Sequence, residues 1–152
     1  MRILLLLVVV APLLAGCSDG RPKRYKVSGK VVIDGQPMKA GLVQVLPEGN
    51  RPAAGAVAED GTFTLGSYEL NDGVVPGTHK VAVNGAEPMG PTKTKWYAPP
   101  QYRFANSSGL TMTVEEDRDD VVIEIDTGGP KPFQPFIEIK GRGGDASSDT
   151  IF

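Results

Sequence analysis

The chain has 152 residues, 16 basic and 18 acidic, for a formal net charge of −2. That length suits one domain around one core, and so mild a charge, with no basic stripe interleaved with aromatics, excludes nucleic acid as a partner. The 19 glycines and 13 prolines interrupt the sequence too often for long helices, so strands and turns are expected.

Met1 and Arg2 give a short positive start, and Ile3 to Leu14 is an unbroken apolar run containing Pro12. At about twelve residues it is too short to span a bilayer, which takes roughly 20, and it has the form of a secretory h-region. The small residues Ala15 and Gly16 follow, where a signal peptidase needs narrow side chains, and then Cys17, the single cysteine of the chain. Leu14-Ala15-Gly16-Cys17 resembles the lipobox of bacterial lipoproteins. The resemblance implies recognition of Leu14, Ala15 and Gly16 by the peptidase, diacylation of the Cys17 thiol, cleavage before it, and acylation of the new amino terminus. Two or three acyl chains, at about 0.8 kcal/mol per buried methylene, hold a protein stably to a bilayer where one chain does not. The protein is then expected to be exported and lipid-anchored to the cell membrane or the outer membrane, in the periplasm or at the cell surface. Removal of the leader takes away Arg2 and lowers the charge by one, to −3.

Ser18 to Arg24 is polar and reads as a tether, its positive charges either solvated or in contact with anionic headgroups. From Tyr25 the hydrophobic period becomes two, and Tyr25 to Ile33 is predicted to be a strand with one buried face. Asp34-Gly35-Gln36-Pro37 breaks it. Further strands are predicted at Leu42–Leu46, Ala54–Ala58, Thr62–Leu65, Val75–Val83, Leu110–Val114 and Val121–Ile125, with a hairpin at Asp60-Gly61. Ala86 to Ser108 carries Pro88, Pro91, Pro99 and Pro100 without alternation and is expected to be a long loop. Glu115 to Asp120 reads as a solvated acidic hairpin turn. Phe136 to Lys140 alternates again, as an eighth strand along an edge would, and Gly141 to Asp149 is expected to be disordered.

About seven strands at regular spacing argue for a β-sandwich. Five pieces recur in a familiar order: Val27-Ser28-Gly29-Lys30-Val31, Asp34-Gly35-Gln36-Pro37, Glu59-Asp60-Gly61-Thr62-Phe63, Pro76-Gly77-Thr78-His79-Lys80-Val81 and Ser108 to Val114. With the lipobox they resemble the small carboxypeptidase-regulatory-like, or transthyretin-like, lipoproteins of planctomycete-type bacteria. The resemblance implies an all-β fold, a single Greek-key sandwich of about seven strands after a cleaved lipoprotein signal peptide. No peptidase activity carries over, because that domain is the non-catalytic one. The chain departs from the family at His79, where an aromatic is common, and in running on from Lys131 to Phe152. The expected organisation is a signal peptide over 1–16, a lipidated tether over 17–24, a sandwich over 25–126 and a C-terminal extension over 127–152.

Candidate chemistry is sparse. His79 is the single histidine, so a histidine-rich zinc site is excluded, and it lies in a predicted strand with no nucleophile elbow beside it. The acidic run Glu115 to Asp120 lacks the glycine and ligand spacing of a calcium loop, and no glycine-rich phosphate motif is present. Trp96, Tyr97, Tyr102 and Phe104 are the candidate contact residues: on a loop they either meet a ligand or fold back over an open end of the core. The expectation is a non-enzymatic envelope lipoprotein without a cofactor, with a structural or protein-interaction role. The alternative is a carbohydrate-binding module centred on Trp96, so the partner is the membrane together with an envelope protein or a glycan.

Overall fold

A computed structural model describes residues 20–140. Leu14, Ala15, Gly16, Cys17 and the tail from Gly141 lie outside the described residues. In chain order the elements are β1 (Val27–Ile33), β2 (Gln36–Pro37), β3 (Gly41–Leu46), β4 (Ala53–Val57), β5 (Thr62–Thr64), β6 (Gly77–Asn84), β7 (Ala86–Pro88), β8 (Lys93–Trp96), a 3-10 turn (Pro100–Arg103), α1 (Ala105–Ser108), β9 (Leu110–Val114), β10 (Arg118–Ile125) and β11 (Phe136–Ile139). The protein is all-β.

The strands form three sheets. In the first, β1 pairs along one edge with β10, in parallel, and shares its other edge between β2 and β5, both antiparallel. The second is antiparallel with order β4, β3, β6, β9, and the third is a small antiparallel sheet of β11, β8 and β7. Alternation explains the packing. Val27, Val31 and Ile33 of β1 point inward with Phe63, Ile123 and Ile125, and they meet Val43, Val45, Val81 and Val83 of the second sheet in one buried cluster. The arrangement is sandwich-like, and each buried valine or isoleucine contributes on the order of 1.5–3 kcal/mol through lost apolar exposure.

Turn chemistry sets the corners. Asp34 (φ 47) and Gly35 (φ 81) both adopt left-handed backbone, the two-residue connection whose twist suits a hairpin, so the chain returns as β2 instead of simply breaking after Ile33. Asp60 and Gly61 also form a tight turn, with the Gly61 amide donating to Ala58 and the Ala58 amide to Thr62. The flanking strands belong to different sheets, and beyond the turn the two arms bond again, antiparallel, through Ala54 and Gly66. The predicted hairpin turn is present, and it also passes the chain from one sheet to the other.

Two further expectations are corrected. β9 and β10 do not pair: β9 bonds β6 and β10 bonds β1, so Glu115 to Asp117 is a crossover between sheets and not a hairpin turn. The proline-rich stretch is also not a structureless loop. It contains β7 and β8, which pair through Ala86 with Trp96 and Pro88 with Thr94, and β11 then adds to β8. The extra edge strand expected near Phe136 thus joins this small sheet.

Strand directions give the molecule two distinct ends. β1, β4, β6 and β10 run one way and β3, β5 and β9 the other. The loops 47–52, 66–76 and 115–117 consequently gather where residues 20–26 enter, while 34–40, 58–61 and the segments around β7, β8 and β11 lie at the far end. Asp34 organises that far end. Its carboxylate accepts the Thr127 amide (2.8 Å), the Thr127 hydroxyl (2.6 Å) and the Phe133 amide (2.7 Å), tying the C-terminal extension to the first turn.

The register of β1 and β10 slips between Val27 and Gly29, where two steps along β1 face three along β10. A side chain at Gly29 would overlap the Val121 carbonyl, so the bulge requires glycine for space. Gly29→Ala is expected to lower the unfolding free energy by about 2–3 kcal/mol, and a denaturation midpoint equal to that of the wild type would contradict this. The Asp34 carboxyl is held below its ordinary value of 3.8, first by the Thr127 hydroxyl and then by the Thr127 and Phe133 amides. Because the folded value is the lower one, the stabilisation is complete above the ordinary value and is lost as pH falls through the folded one. The protection of the Thr127 and Phe133 amides, relative to their intrinsic exchange rates at each pH, should therefore fall as pH drops below the ordinary carboxyl value, and in Asp34→Asn that pH dependence should vanish.

Candidate functional site

The four sequence-predicted aromatics do not form one exposed platform. Trp96 sits in the central strand of the small sheet, opposite Ala86 and Phe136, and is only 5% exposed. Its indole Nε1 donates to Glu138 Oε2 (2.9 Å), the Phe136 ring stacks on it at 6.4 Å, and the Arg103 guanidinium lies 5.7 Å from its centroid. Tyr97 is half-buried, with its hydroxyl on Glu87 (2.9 Å) and the Lys95 ammonium 4.7 Å from its ring. Tyr102 packs against the core. Phe104 alone is well exposed, with Arg103 at 4.5 Å from its ring. A sugar stacks on an open ring face, and Trp96 presents none. These residues fold back over the sandwich: Ala98 joins the core cluster beside Tyr97 and Tyr102, and Ser108 Oγ donates to the Val81 carbonyl.

His79 is buried in β6, with Nε2 2.9 Å from the Val75 carbonyl. A carbonyl only accepts, so Nε2 carries the proton and the ring is held as a packing element. In the acidic crossover, the Asp117 carboxylate accepts the Lys26 amide (2.8 Å), and Arg118 pairs with Asp120 (2.7 Å). The hydrogen bond from Arg118 holds the Asp120 carboxyl below its ordinary value. Among the described residues no group of three or more His, Cys, Asp or Glu is placed to hold a metal, and no helix is long and apolar enough to cross a membrane.

The feature with capacity for recognition is a groove of about 500 Å³ between the outer edges of β9 and β10. Val81, Leu110, Met112, Val121 and Ile123 line it together with Thr111, Thr113, Arg118 and Glu124, so the lining is mixed, polar and apolar. β9 ends the second sheet and β10 ends the first, so neither outer edge has a strand partner among the described residues. Val122, on β10, is 62% exposed. Unpaired amide and carbonyl rows beside such a trough accept an added strand, with backbone bonds giving affinity and alternate side chains giving selectivity. Sequence alone does not reveal this groove, because alternation marks which face of β9 and β10 is buried but not which edges are paired.

A second cluster lies where the chain enters the domain. The guanidiniums of Arg21, Arg24 and Arg51 lie 5.1, 4.9 and 5.4 Å from the centroid of Tyr68. Arg21 pairs with Glu69 at 2.7 Å and Arg24 with Asp72 at 3.1 Å. Arg24 Nε is buried and, close as it is to Asp72, is not aligned to donate to it. Burial pushes the Asp72 carboxyl up, but the amides of Ser67, Tyr68 and Glu69 and the charge of Arg24 outweigh it, leaving the carboxyl below its ordinary value. The segment read as a plain tether is thus docked from Arg21 onward. The only signal in the sequence is the run of positive charge at Arg21, Lys23 and Arg24.

Since Trp96 is a packing residue, Trp96→Ala is expected to cost about 3 kcal/mol and to release β11, lowering the denaturation midpoint; an unchanged midpoint would contradict this placement. Comparison with protein-family models, with curated proteins and with solved structures returned no significant match to this chain.

Proposed function

We propose that the chain is a bacterial envelope lipoprotein, anchored through acylated Cys17, whose β-domain is a non-enzymatic protein-interaction module. We further propose that the seven strands β1, β3, β4, β5, β6, β9 and β10 of the two larger sheets form the Greek-key, transthyretin-like sandwich of the carboxypeptidase-regulatory-like lipoproteins. The anchor reading is supported by the order of charge, apolar run, small residues and cysteine at the N-terminus. The interaction reading is carried by one observation, the groove of mixed polar and apolar lining bounded by the unpaired edges of β9 and β10.

The mode that fits is strand addition. An extended segment of an envelope protein lies along the edge of β10 or β9, bonds its backbone row, and sets alternate apolar side chains over Leu110, Met112, Val121 and Ile123. The groove runs along the side of the sandwich, so a partner reaches it while the tether holds one end at the membrane. The small β7, β8 and β11 sheet then stands at the far end, away from the lipid.

The test is photocrosslinking from a probe at Val122 in the lipidated protein in its own envelope. The expected result is one discrete crosslinked polypeptide that disappears in Thr111→Lys, whose altered side chain lies across the groove, and persists in Ile139→Lys on the small sheet. Capture indifferent to Thr111→Lys would contradict the groove. For the anchor, Cys17→Ala should abolish metabolic labelling by a fatty acid, and labelling that survives the substitution would contradict lipidation at Cys17.

A further inference from the structure

The end of the sandwich where the tether enters is electrostatically two-sided, and we propose that the 66–73 loop, with Leu70 at its tip, is the side that rests on an anionic bilayer. The proposal rests on lipidation of Cys17. Only Ser18 and Asp19 separate Cys17 from Gly20, so an acylated Cys17 holds Gly20 within about 11 Å of the headgroups even when the chain is fully extended. Some surface of this end must therefore meet the membrane, and the two sides compete for that position.

Tyr25 and Lys26 run between them. Tyr25 exchanges both backbone bonds with Val74 (2.8 and 2.9 Å), which fixes the 66–73 loop on one side. The Lys26 amide donates to Asp117 (2.8 Å) and its carbonyl accepts the Arg118 amide (2.8 Å), which fixes the acidic crossover on the other. On the first side the guanidiniums of Arg21, Arg24 and Arg51 gather on Tyr68 beside the carboxylates of Glu69 and Asp72. Leu70 extends from the same loop and is 95% exposed, the most exposed large hydrophobic side chain among the described residues. On the second side Glu115, Glu116, Asp117, Asp119 and Asp120 crowd into six positions, where Arg118 pairs with Asp120 and Lys23 and the Lys26 amide lie near Asp117.

Anionic headgroups favour the first side, where the guanidiniums cluster, over the second, where carboxylates outnumber cations, and the surface potential acts over a Debye length of about 8–10 Å, which matches the reach of the tether. A fully exposed leucine beside arginines suits the boundary between headgroups and acyl chains, where the apolar tip is covered and the guanidiniums stay at phosphate level. The domain therefore tilts, with the Leu70 loop down and the acidic crossover turned to water.

Because Cys17 is the single cysteine and is taken by lipid, a thiol placed elsewhere can be labelled selectively. Lipidated Leu70→Cys and lipidated Glu116→Cys, each carrying an environment-sensitive fluorophore, are reconstituted into vesicles of phosphatidylglycerol and phosphatidylcholine with a headgroup-depth spin-labelled lipid as quencher. Quenching at position 70 should exceed that at 116 by roughly fivefold, the population ratio given by a difference of one charge between the two sides at about 1 kcal/mol, and the difference should shrink in high salt. Equal or reversed quenching in protein that floats with the vesicles overturns the tilt while leaving the anchor intact. Protein that fails to float overturns the anchor and the tilt together.

Discussion

The parallel pairing of β1 with β10 is the contact on which the rest of the structure depends. β1 is the first strand after the tether and β10 arrives more than eighty residues later, so their junction closes a long loop, completes the sandwich and fixes where the chain can begin and end. It also uses up the edges of β1, with β2 and β5 sharing the side that β10 leaves. Gly29 makes the contact possible, because the bulged β10 brings the Val121 carbonyl into the space a side chain would fill. β10 pairs with β1 in one sheet and β9 with β6 in the other, so these neighbours in sequence each end a sheet with an outer edge open, and the groove lies between them.

That geometry gives the molecule a polarity useful to an anchored protein. The same direction of β1 that places Val27 beside Arg118 places the tether beside the 66–73 loop, and it sends β6 toward the opposite end, where the small sheet builds up. Two carboxylates act as fasteners at the two ends. Asp34 binds the C-terminal extension at the far end, and Asp72 binds the Arg24 end of the tether while ordering its own loop. Each is a short side chain on a turn with left-handed backbone, Asp34 itself and Asp72 after Asn71 (φ 62), so local turn chemistry is turned into long-range attachment.

Much of the all-β character is legible from period-two alternation, since the longer strands bury one set of alternate residues. β1, β6 and β10 are clear cases, with Val31, Val81 and Ile123 buried while the adjacent Lys30, Lys80 and Glu124 turn outward. Pairing is not legible in the same way. Alternation in Leu110–Val114 and Val121–Ile125 marks the buried face of each strand and carries no record of its edges, so their proximity in sequence suggests a hairpin where the chain in fact crosses between sheets. β7 and β8 are hidden for a different reason. Lys93-Thr94-Lys95-Trp96 has little apolar pattern of its own, and its cover comes from Phe136 and Glu138, some forty residues away. The Tyr68 cluster is hidden in the same manner, because its three arginines come from two separate segments and meet only in the folded chain.

The central claim, that closure of β1 onto β10 leaves the outer edges of β9 and β10 open, is tested most directly by amide hydrogen exchange on the native domain. Amides of β1 at Val31, Val32 and Ile33 should exchange only on global unfolding. The outward amides of β9 and β10, those that do not face β6 or β1, should exchange orders of magnitude faster at the same pH and temperature. Uniform protection across β1, β9 and β10 would contradict the account, because it would mean that the edges are already covered.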